Sequence, residues 1–208
     1  MRSMKGLFIV IDGLGGSGKT TQLALLKKRF GKNALFTHEP GGAPRAERIR
    51  NILKSGKGPK PDPLTDFFLF WAARAEHMSR GIVPALRKGK LVICDRCDSS
   101  TFAMQIRGDE QKNSEKLFWQ CREHTLADNK PNLYIILDTP AALARSRRKS
   151  RRGEDRFDER KGTYQRRVRT GYLEFAKRMG TRAIVVDASM PVLEVHEKIW
   201  ELIQKVRS

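Results

Sequence analysis

Residues 7–20 read LFIVIDGLGGSGKT, in which an apolar run leads directly into the pattern G-x-x-x-x-G-K-T that begins at Gly13. The apolar run predicts a buried strand, and the residues after Lys19 predict an amphipathic helix. A strand, a glycine-rich turn and a helix in this order form a phosphate-binding loop. The glycines let backbone N–H groups approach a phosphate, the lysine neutralises phosphate oxygens, and the Thr20 hydroxyl is a Mg²⁺ ligand. The residues expected to hold the phosphates of a nucleotide such as ATP are Gly13, Leu14, Gly15, Gly16, Ser17, Gly18, Lys19, Thr20 and Thr21.

Four further apolar segments follow the first strand, at residues 34–37, 91–95, 133–138 and 183–187. Helical stretches separate them, and this alternation predicts an α/β fold with a mainly parallel five-stranded sheet and helices on both faces. Ligands of such sheets bind at the carboxyl ends of the strands. The length favours one domain over residues 1–208. A helical pattern is expected over residues 64–86, interrupted near Pro84, and another continues to about Asp128.

The charge balance is strongly basic, with a formal net charge of +19. Aromatic residues make up only 8% of the chain, and the densest basic cluster, residues 145–160, holds a single one, Phe157. A nucleic-acid surface would interleave aromatic and basic side chains, so such a partner is disfavoured. A solvated surface or a site for small polyanions remains open.

The three cysteines argue against a disulfide framework. Residues 1–6 are too short for a signal peptide, and no run reaches membrane-spanning length, so we expect a cytoplasmic protein without a membrane partner. Cys94, Cys97, Cys121 and His124 have the short spacings of a zinc site. We favour the alternative, in which Cys94 is an apolar residue inside a strand.

The segment 146–161 is hydrophilic, charge-dense and interrupted by glycine. This composition predicts a mobile flap, or lid, between two helices.

Several segments together resemble the thymidylate kinases, P-loop enzymes that phosphorylate dTMP with ATP. They occur in order over almost the whole chain: residues 8–13 (FIVIDG), 39–42 (EPGG), 46–50 (AERIR), 70–77 (FWAARAEH), 82–86 (IVPAL) and 92–96 (VICDR). The resemblance implies a three-layer P-loop kinase fold with a mobile lid, ATP and Mg²⁺ as cofactors, and a homodimer.

The resemblance also implies roles for individual residues. Lys19 and Arg96 act on the reacting phosphates, while Thr20 and Asp95 hold Mg²⁺. Some family members carry a catalytic arginine in the phosphate-binding loop and others carry it in the lid; residues 14–17 contain none here, so the lid must supply it. We expect Arg152 or Arg156 in that role. The residues implied to bind dTMP are Glu39, Arg50, Phe70, Arg74, Arg96, Ser100, Thr101 and Gln105.

Four positions depart from the family pattern. Gly15 stands where an acid is usual, Met104 replaces a tyrosine that crowds the ribose 2′ position, His38 replaces an arginine, and Cys97 replaces an aromatic residue. These changes keep a related deoxynucleotide or nucleoside kinase of broader specificity open. A basic P-loop protein that binds nucleic acid without turnover is the alternative from a different class.

Overall fold

The computed structural model describes residues 6–55, 61–149 and 162–207. Its five strands are β1 (Phe8–Gly13), β2 (Ala34–His38), β3 (Leu91–Asp95), β4 (Leu133–Asp138) and β5 (Ala183–Asp187). They form one parallel sheet in the order β2-β3-β1-β4-β5. The predicted five-stranded parallel sheet is therefore confirmed.

The helices that surround the sheet are α1 (Lys19–Phe30), α2 (Pro44–Lys54), α3 (Pro63–His77), α4 (Val83–Arg87), α5 (Asp98–Thr101), α6 (Glu115–Leu126), α7 (Ala141–Lys149), α8 (Gly162–Met179) and α9 (Val192–Arg207). Side chains alternate across β1, so Phe8 and Val10 join a core with α3, α6 and α8, whereas Ile9 and Ile11 join a second core with α1 and α9. The sheet is covered on both faces, which is why its central strands read as continuous apolar runs.

The predicted interruption near Pro84 begins earlier, at Met78. One π-helical turn, Met78–Ile82, connects α3 to α4, and the Val83 N–H reaches the carbonyl of Met78. Pro84 has no N–H to give to the preceding turn, and a wider turn before it accommodates that loss.

The helix predicted to continue to Asp128 is broken. A π-helical segment, Phe102–Gly108, follows α5, and a short 3₁₀ turn at Lys112–Ser114 precedes α6. The chain turns between them with Glu110 at a φ of 58°. Gly108 packs so tightly that a Cβ there would lie 2.7 Å from the Tyr164 ring.

Part of the segment predicted as a lid is helical: residues 146–149 form the last part of α7. Residues 150–161 lie outside the described residues, and the chain is described again from Gly162 onward. Within the described ranges, no helix is both long and apolar enough to cross a bilayer.

The strand register aligns the carboxyl ends of β1, β2 and β3. Ile11 of β1 and His38 of β2 both align with Asp95 of β3. The carboxyl ends of these three strands therefore meet at one edge of the sheet, where the phosphate-binding loop leaves β1.

Candidate active site

The phosphate-binding loop leads into the N-terminus of α1, where backbone N–H groups can bind an anion. Gly18 precedes α1 at a φ of 93° and has no side chain with which to cap the helix, so N–H donors of the first turn are left for a ligand. Lys19 is buried, and its Nζ lies 2.9 Å from the carbonyl oxygens of Gly13 and Leu14. Gly16 has a φ of 86°, and a Cβ on it would lie 2.1 Å from the Ala144 carbonyl oxygen in α7. The loop is thus fixed against α7 at a position that only glycine tolerates.

A cleft of about 350 Å³ opens at the carboxyl edge of the sheet. All residues predicted to bind dTMP line this cleft, together with both predicted Mg²⁺ ligands. The predicted residues that line it are Gly15, Gly16, Gly18, Lys19, Thr20, Glu39, Arg50, Phe70, Arg74, Asp95, Arg96, Ser100, Thr101 and Gln105.

A second cavity, of about 270 Å³, lies on the other side of the phosphate-binding loop. Ser17 and Thr21 line it, and so do Met190 and Val192 from the segment after β5. Gly13 and Leu14 line neither space, and the Leu14 side chain is buried in the core. The loop therefore separates two spaces, as a site for two nucleotides requires.

Arg74 lies at the floor of the cleft in a fixed position. Its Nε donates to Glu39 Oε2 at 2.7 Å, its Nη2 donates to Thr101 Oγ1 at 3.0 Å, and its guanidinium carbon lies 4.4 Å from the Trp71 ring centroid. Burial raises the pKa of Glu39, but Arg74 and His77 outweigh burial and lower it below 4.5. The pair is therefore ionised, and the Thr101 hydroxyl helps to orient Arg74 while Thr101 also lines the cleft.

Arg74 Nη1 and Gln105 Oε1 are among the polar atoms of this cleft that are buried without a hydrogen-bond partner in the described residues. A buried polar group left unpaired costs about 1–3 kcal/mol, so such atoms mark places where a ligand supplies the missing partner. Arg74 offers a donor and Gln105 an acceptor. This combination fits a planar ligand that carries an acceptor beside a donor.

A second polar cluster surrounds Asp12 at the end of β1. Its carboxylate accepts hydrogen bonds from Ser99 Oγ at 2.6 Å, from Tyr172 OH at 2.8 Å and from Arg96 Nη1 at 3.1 Å. Ser100 Oγ donates to the same carboxylate and lies 2.9 Å from the Tyr172 hydroxyl. Burial and the charge of Asp12 raise the pKa of Tyr172 well above 10, which keeps its hydroxyl protonated.

Arg96 joins this cluster to the cleft. Its backbone has a φ of 70°, which is unusual for a residue other than glycine. Burial lowers the pKa of Arg96, but Tyr172 and Asp12 raise it by more than burial lowers it. The guanidinium therefore stays charged. Arg96 Nη1 donates to the Tyr172 hydroxyl inside the cluster, and Arg96 also lines the cleft. Arg96 is therefore an oriented cation at the cleft wall.

Asp95 and Thr20 provide the oxygen donors that a magnesium ion prefers. Asp95 Oδ1 is buried and has no hydrogen-bond partner in the part of the chain that is described. The Thr20 side chain is exposed, and both residues line the cleft. Hard oxygen ligands beside phosphate groups are the usual setting for Mg²⁺, so these residues fit the ion.

Arginines of α7 flank the phosphate-binding loop. Arg148 lines the main cleft, and Arg147 lines the second cavity and donates to the Ala188 carbonyl at 2.8 Å. The predicted catalytic residues Arg152 and Arg156 lie outside the described residues, so their assignment stays a prediction. Arg50, also in the cleft, donates to the Pro40 carbonyl.

The four residues with zinc-site spacing do not come together. Cys94 and Cys97 are buried, whereas His124 is exposed on α6. Burial raises the thiol pKa of both cysteines well above 9.0. Among the described residues, the potential ligands that cluster are Glu39, His77 and Cys94, and Glu39 is already paired with Arg74.

Sequence reasoning missed three residues of the site: Asp12, Tyr172 and His77. Asp12 stands between the apolar run and the first glycine of the loop. This position is the carboxyl end of a parallel strand, where ligands bind, and it could have indicated a site residue. Tyr172 lies 160 positions from Asp12, and no local pattern connects the two. His77 follows Arg74 by three residues in α3. Residues three apart lie on the same face of a helix, so this spacing could have indicated that His77 lies beside Arg74.

Comparison with known proteins agrees with this geometry. A family model described as thymidylate kinase matches residues 11–199. The chain is 38% identical over 202 residues to a thymidylate kinase of Caulobacter vibrioides, covering 96% of each chain. It is 39% identical over 209 residues to one from Afipia carboxidovorans, covering 98% of this chain and 91% of that one. A crystal structure of thymidylate kinase from Ehrlichia chaffeensis matches with a TM-score of 0.75 and 31% identity, covering 96% of this chain and 99% of that chain. The chain therefore belongs to the thymidylate kinase family.

Proposed function

We propose that this protein transfers the γ-phosphoryl group of ATP to dTMP, giving dTDP and ADP. The observation that carries the proposal is the pair of buried, unpaired atoms in the cleft, within the described residues: the Arg74 Nη1 donor and the Gln105 Oε1 acceptor. Thymine carries the O4 acceptor next to the N3–H donor and complements this pair. Cytosine carries a donor and an acceptor in the reverse order, and with the Gln105 amide in its present orientation it would leave both protein atoms unpaired.

The phosphate-binding groups support the reaction. An oxygen of the dTMP phosphate attacks the γ-phosphorus, and the bond from that phosphorus to the β,γ-bridging oxygen breaks, so that ADP leaves with its electron pair. Both reactants are anions, so the protein must neutralise charge and hold the two groups in line. Lys19 and the first turn of α1 bind the ATP phosphates, and Arg96 and Arg50 bind the dTMP phosphate.

Thr20 and Asp95 would hold Mg²⁺ in this site. The ion, when bound, supplies positive charge to the phosphate oxygens. Phe70 lines the cleft and offers a ring face against which thymine can stack. The second cavity accepts the nucleoside part of ATP, and a lid arginine, Arg152 or Arg156, stabilises the transferring group.

We further propose a cytoplasmic homodimer. Ile52 on α2 and Leu64 and Phe68 on α3 are exposed apolar side chains on adjacent helices, with Phe68 50% exposed. Light scattering of the purified protein measures the oligomeric state, and a monomer at micromolar concentration would contradict this part of the proposal.

An ADP-release assay with ATP and Mg²⁺ tests the function. The acceptors are dTMP, dUMP, UMP and thymidine, each compared with a reaction that lacks acceptor. We expect dTMP to stimulate ADP release strongly and thymidine not to, because Arg50 and Arg96 bind a phosphate. UMP tests whether Met104 tolerates a ribose 2′-hydroxyl. If no monophosphate stimulates turnover and oligonucleotides bind with a steep salt dependence, the protein is a nucleic-acid-binding P-loop protein and the proposal is wrong.

A further inference from the structure

His77 is buried beside the base-binding arginine with a partner on each ring nitrogen. Its side chain is 1% exposed, its Nδ1 lies 3.4 Å from Glu39 Oε1, and its Nε2 lies 2.7 Å from Thr37 Oγ1. A Cβ on Gly42 would lie 2.3 Å from Nε2, so the ring fits closely against the loop that follows β2. An apolar side chain could fill this space but could not make the two polar contacts.

The contact to Glu39 controls the direction of that carboxylate. Glu39 Oε2 accepts from Arg74 Nε at 2.7 Å, while Oε1 faces His77 and the Cys97 thiol, whose sulfur lies 3.7 Å away. A thiol is a weak donor, so the histidine is the stronger of these two restraints on Oε1. Because the carboxylate is planar, a restraint on one oxygen fixes the direction of the other.

The direction of Glu39 in turn fixes Arg74. The guanidinium is held through Nε by Glu39 and through Nη2 by Thr101, which leaves Nη1 buried without a partner among residues the structure describes. Rotation of the Glu39 carboxylate would turn the whole planar guanidinium and change the position of Nη1 in this residue of the cleft wall. The hydrogen bonds therefore form a chain from Thr37 through His77 and Glu39 to Arg74.

We propose that His77 is a positioning residue for nucleobase selection, acting through Glu39 on Arg74. The inference rests on the proposed function, because the selected base is the one in the monophosphate substrate. His77 touches neither substrate nor phosphate in this role. Its loss weakens binding and discrimination of the base while leaving the ATP side of the site unchanged.

Two substitutions separate the two ring nitrogens. His77→Asn places an amide near the position of Nδ1 and retains the contact with Glu39, whereas His77→Gln reaches the position of Nε2 and retains the contact with Thr37. We expect His77→Gln to raise the KM for dTMP about tenfold, or about 1.4 kcal/mol, the size of one hydrogen bond to a charged group. His77→Asn should stay within about threefold of the native enzyme by the same conversion.

The measured quantities are kcat and KM for dTMP, KM for ATP, and the ratio of kcat/KM for dTMP to that for dCMP. The proposal requires a lower dTMP to dCMP ratio in His77→Gln, with kcat and the KM for ATP close to native. His196 is the matched control, since it is a buried histidine on α9 whose Nδ1 has no partner within the described ranges. His196→Gln should leave all four quantities unchanged.

A second readout does not depend on catalysis. The side-chain Nε–H of Arg74 donates to Glu39, so its NMR resonance should exchange slowly with solvent in the native protein and in His77→Asn, and faster in His77→Gln. Thr37→Val, a milder change at the far end of the chain of hydrogen bonds, should show an intermediate effect if His77→Gln does not fold.

The outcomes distinguish the two proposals. Absence of dTMP-dependent turnover in the native enzyme would contradict the proposed function, while the Arg74 exchange rates would still test the positioning role. Equal dTMP KM values and equal Arg74 exchange in the Asn and Gln variants would overturn the role of His77. A loss of thermal stability alone, with the base ratio unchanged, would also overturn it.

Discussion

Removing the charge of Glu39 should destabilise the protein far more than removing a surface charge. Glu39 and Arg74 are 4% and 2% exposed, and Glu39→Gln preserves the shape while leaving the Arg74 cation buried without its counterion. Breaking a buried pair from one side costs about 3–5 kcal/mol. For a chain of this length, each kcal/mol corresponds to about 2–4 °C, so the melting temperature should fall by about 6–20 °C.

Urea denaturation at neutral pH measures this loss, and Glu197→Gln is the control. Glu197 pairs with Arg29 at 2.7 Å, but the two side chains are 57% and 36% exposed, so that change should cost about 0–1 kcal/mol. A Glu39→Gln variant that loses no more stability than Glu197→Gln would refute the reasoning that the pair is fully desolvated and ionised.

The same variant has a defined pH dependence. Arg74 and His77 overcome the effect of burial and lower the folded-state pKa of Glu39 below its ordinary value of 4.5. A carboxyl whose pKa is lower in the folded state contributes stability that is fully present above the unfolded pKa and is lost as the pH falls through the folded pKa. The stability difference between native protein and Glu39→Gln should therefore shrink as the pH falls below 4.5. A difference that grows on acidification would contradict this sign.

Four further substitutions test the phosphate side of the site. If Lys19 binds the ATP phosphates as proposed, Lys19→Ala should lower kcat about 10²–10³-fold in steady-state assays, because the variant lacks that positive charge; a change below about twofold would contradict that role. Asp95→Asn should raise the Mg²⁺ concentration needed for half-maximal activity about tenfold or more, measured by Mg²⁺ titration at fixed ATP. An unchanged titration would exclude Asp95 from the ion. At least one of Arg152→Ala and Arg156→Ala should lower kcat about 10³-fold. Native turnover in both variants would remove the catalytic arginine from those two positions.

The sequence predicted those parts of the site that depend on local pattern. The glycines around Lys19 and the apolar runs are contiguous signals, and a parallel sheet gathers strand ends at one edge, so the phosphate-binding loop and Asp95 could be expected together. The dTMP-binding residues were expected only from the resemblance to the thymidylate kinases. The structure places all the predicted dTMP-binding residues in that cleft.

Other features depended on long-range packing and could not be predicted in the same way. The hydrogen bond from Tyr172 to Asp12 spans 160 positions and joins α8 to β1. The continuation of α7 to Lys149 was hidden because a run of charged residues is equally compatible with a helix end and a flap. The sequence pattern placed the interruption at Pro84, whereas the π-helical turn that accommodates this proline begins at Met78.

We propose that Arg74 and Gln105 together select a base with an acceptor at position 4 and a donor at N3. The most direct measurement is the ratio of kcat/KM for dTMP to that for dCMP in the native enzyme. Two buried groups left unpaired by dCMP cost about 1–3 kcal/mol each, so the ratio should exceed about 30 and reach about 10⁴. Equal kcat/KM values for dTMP and dCMP would contradict the account.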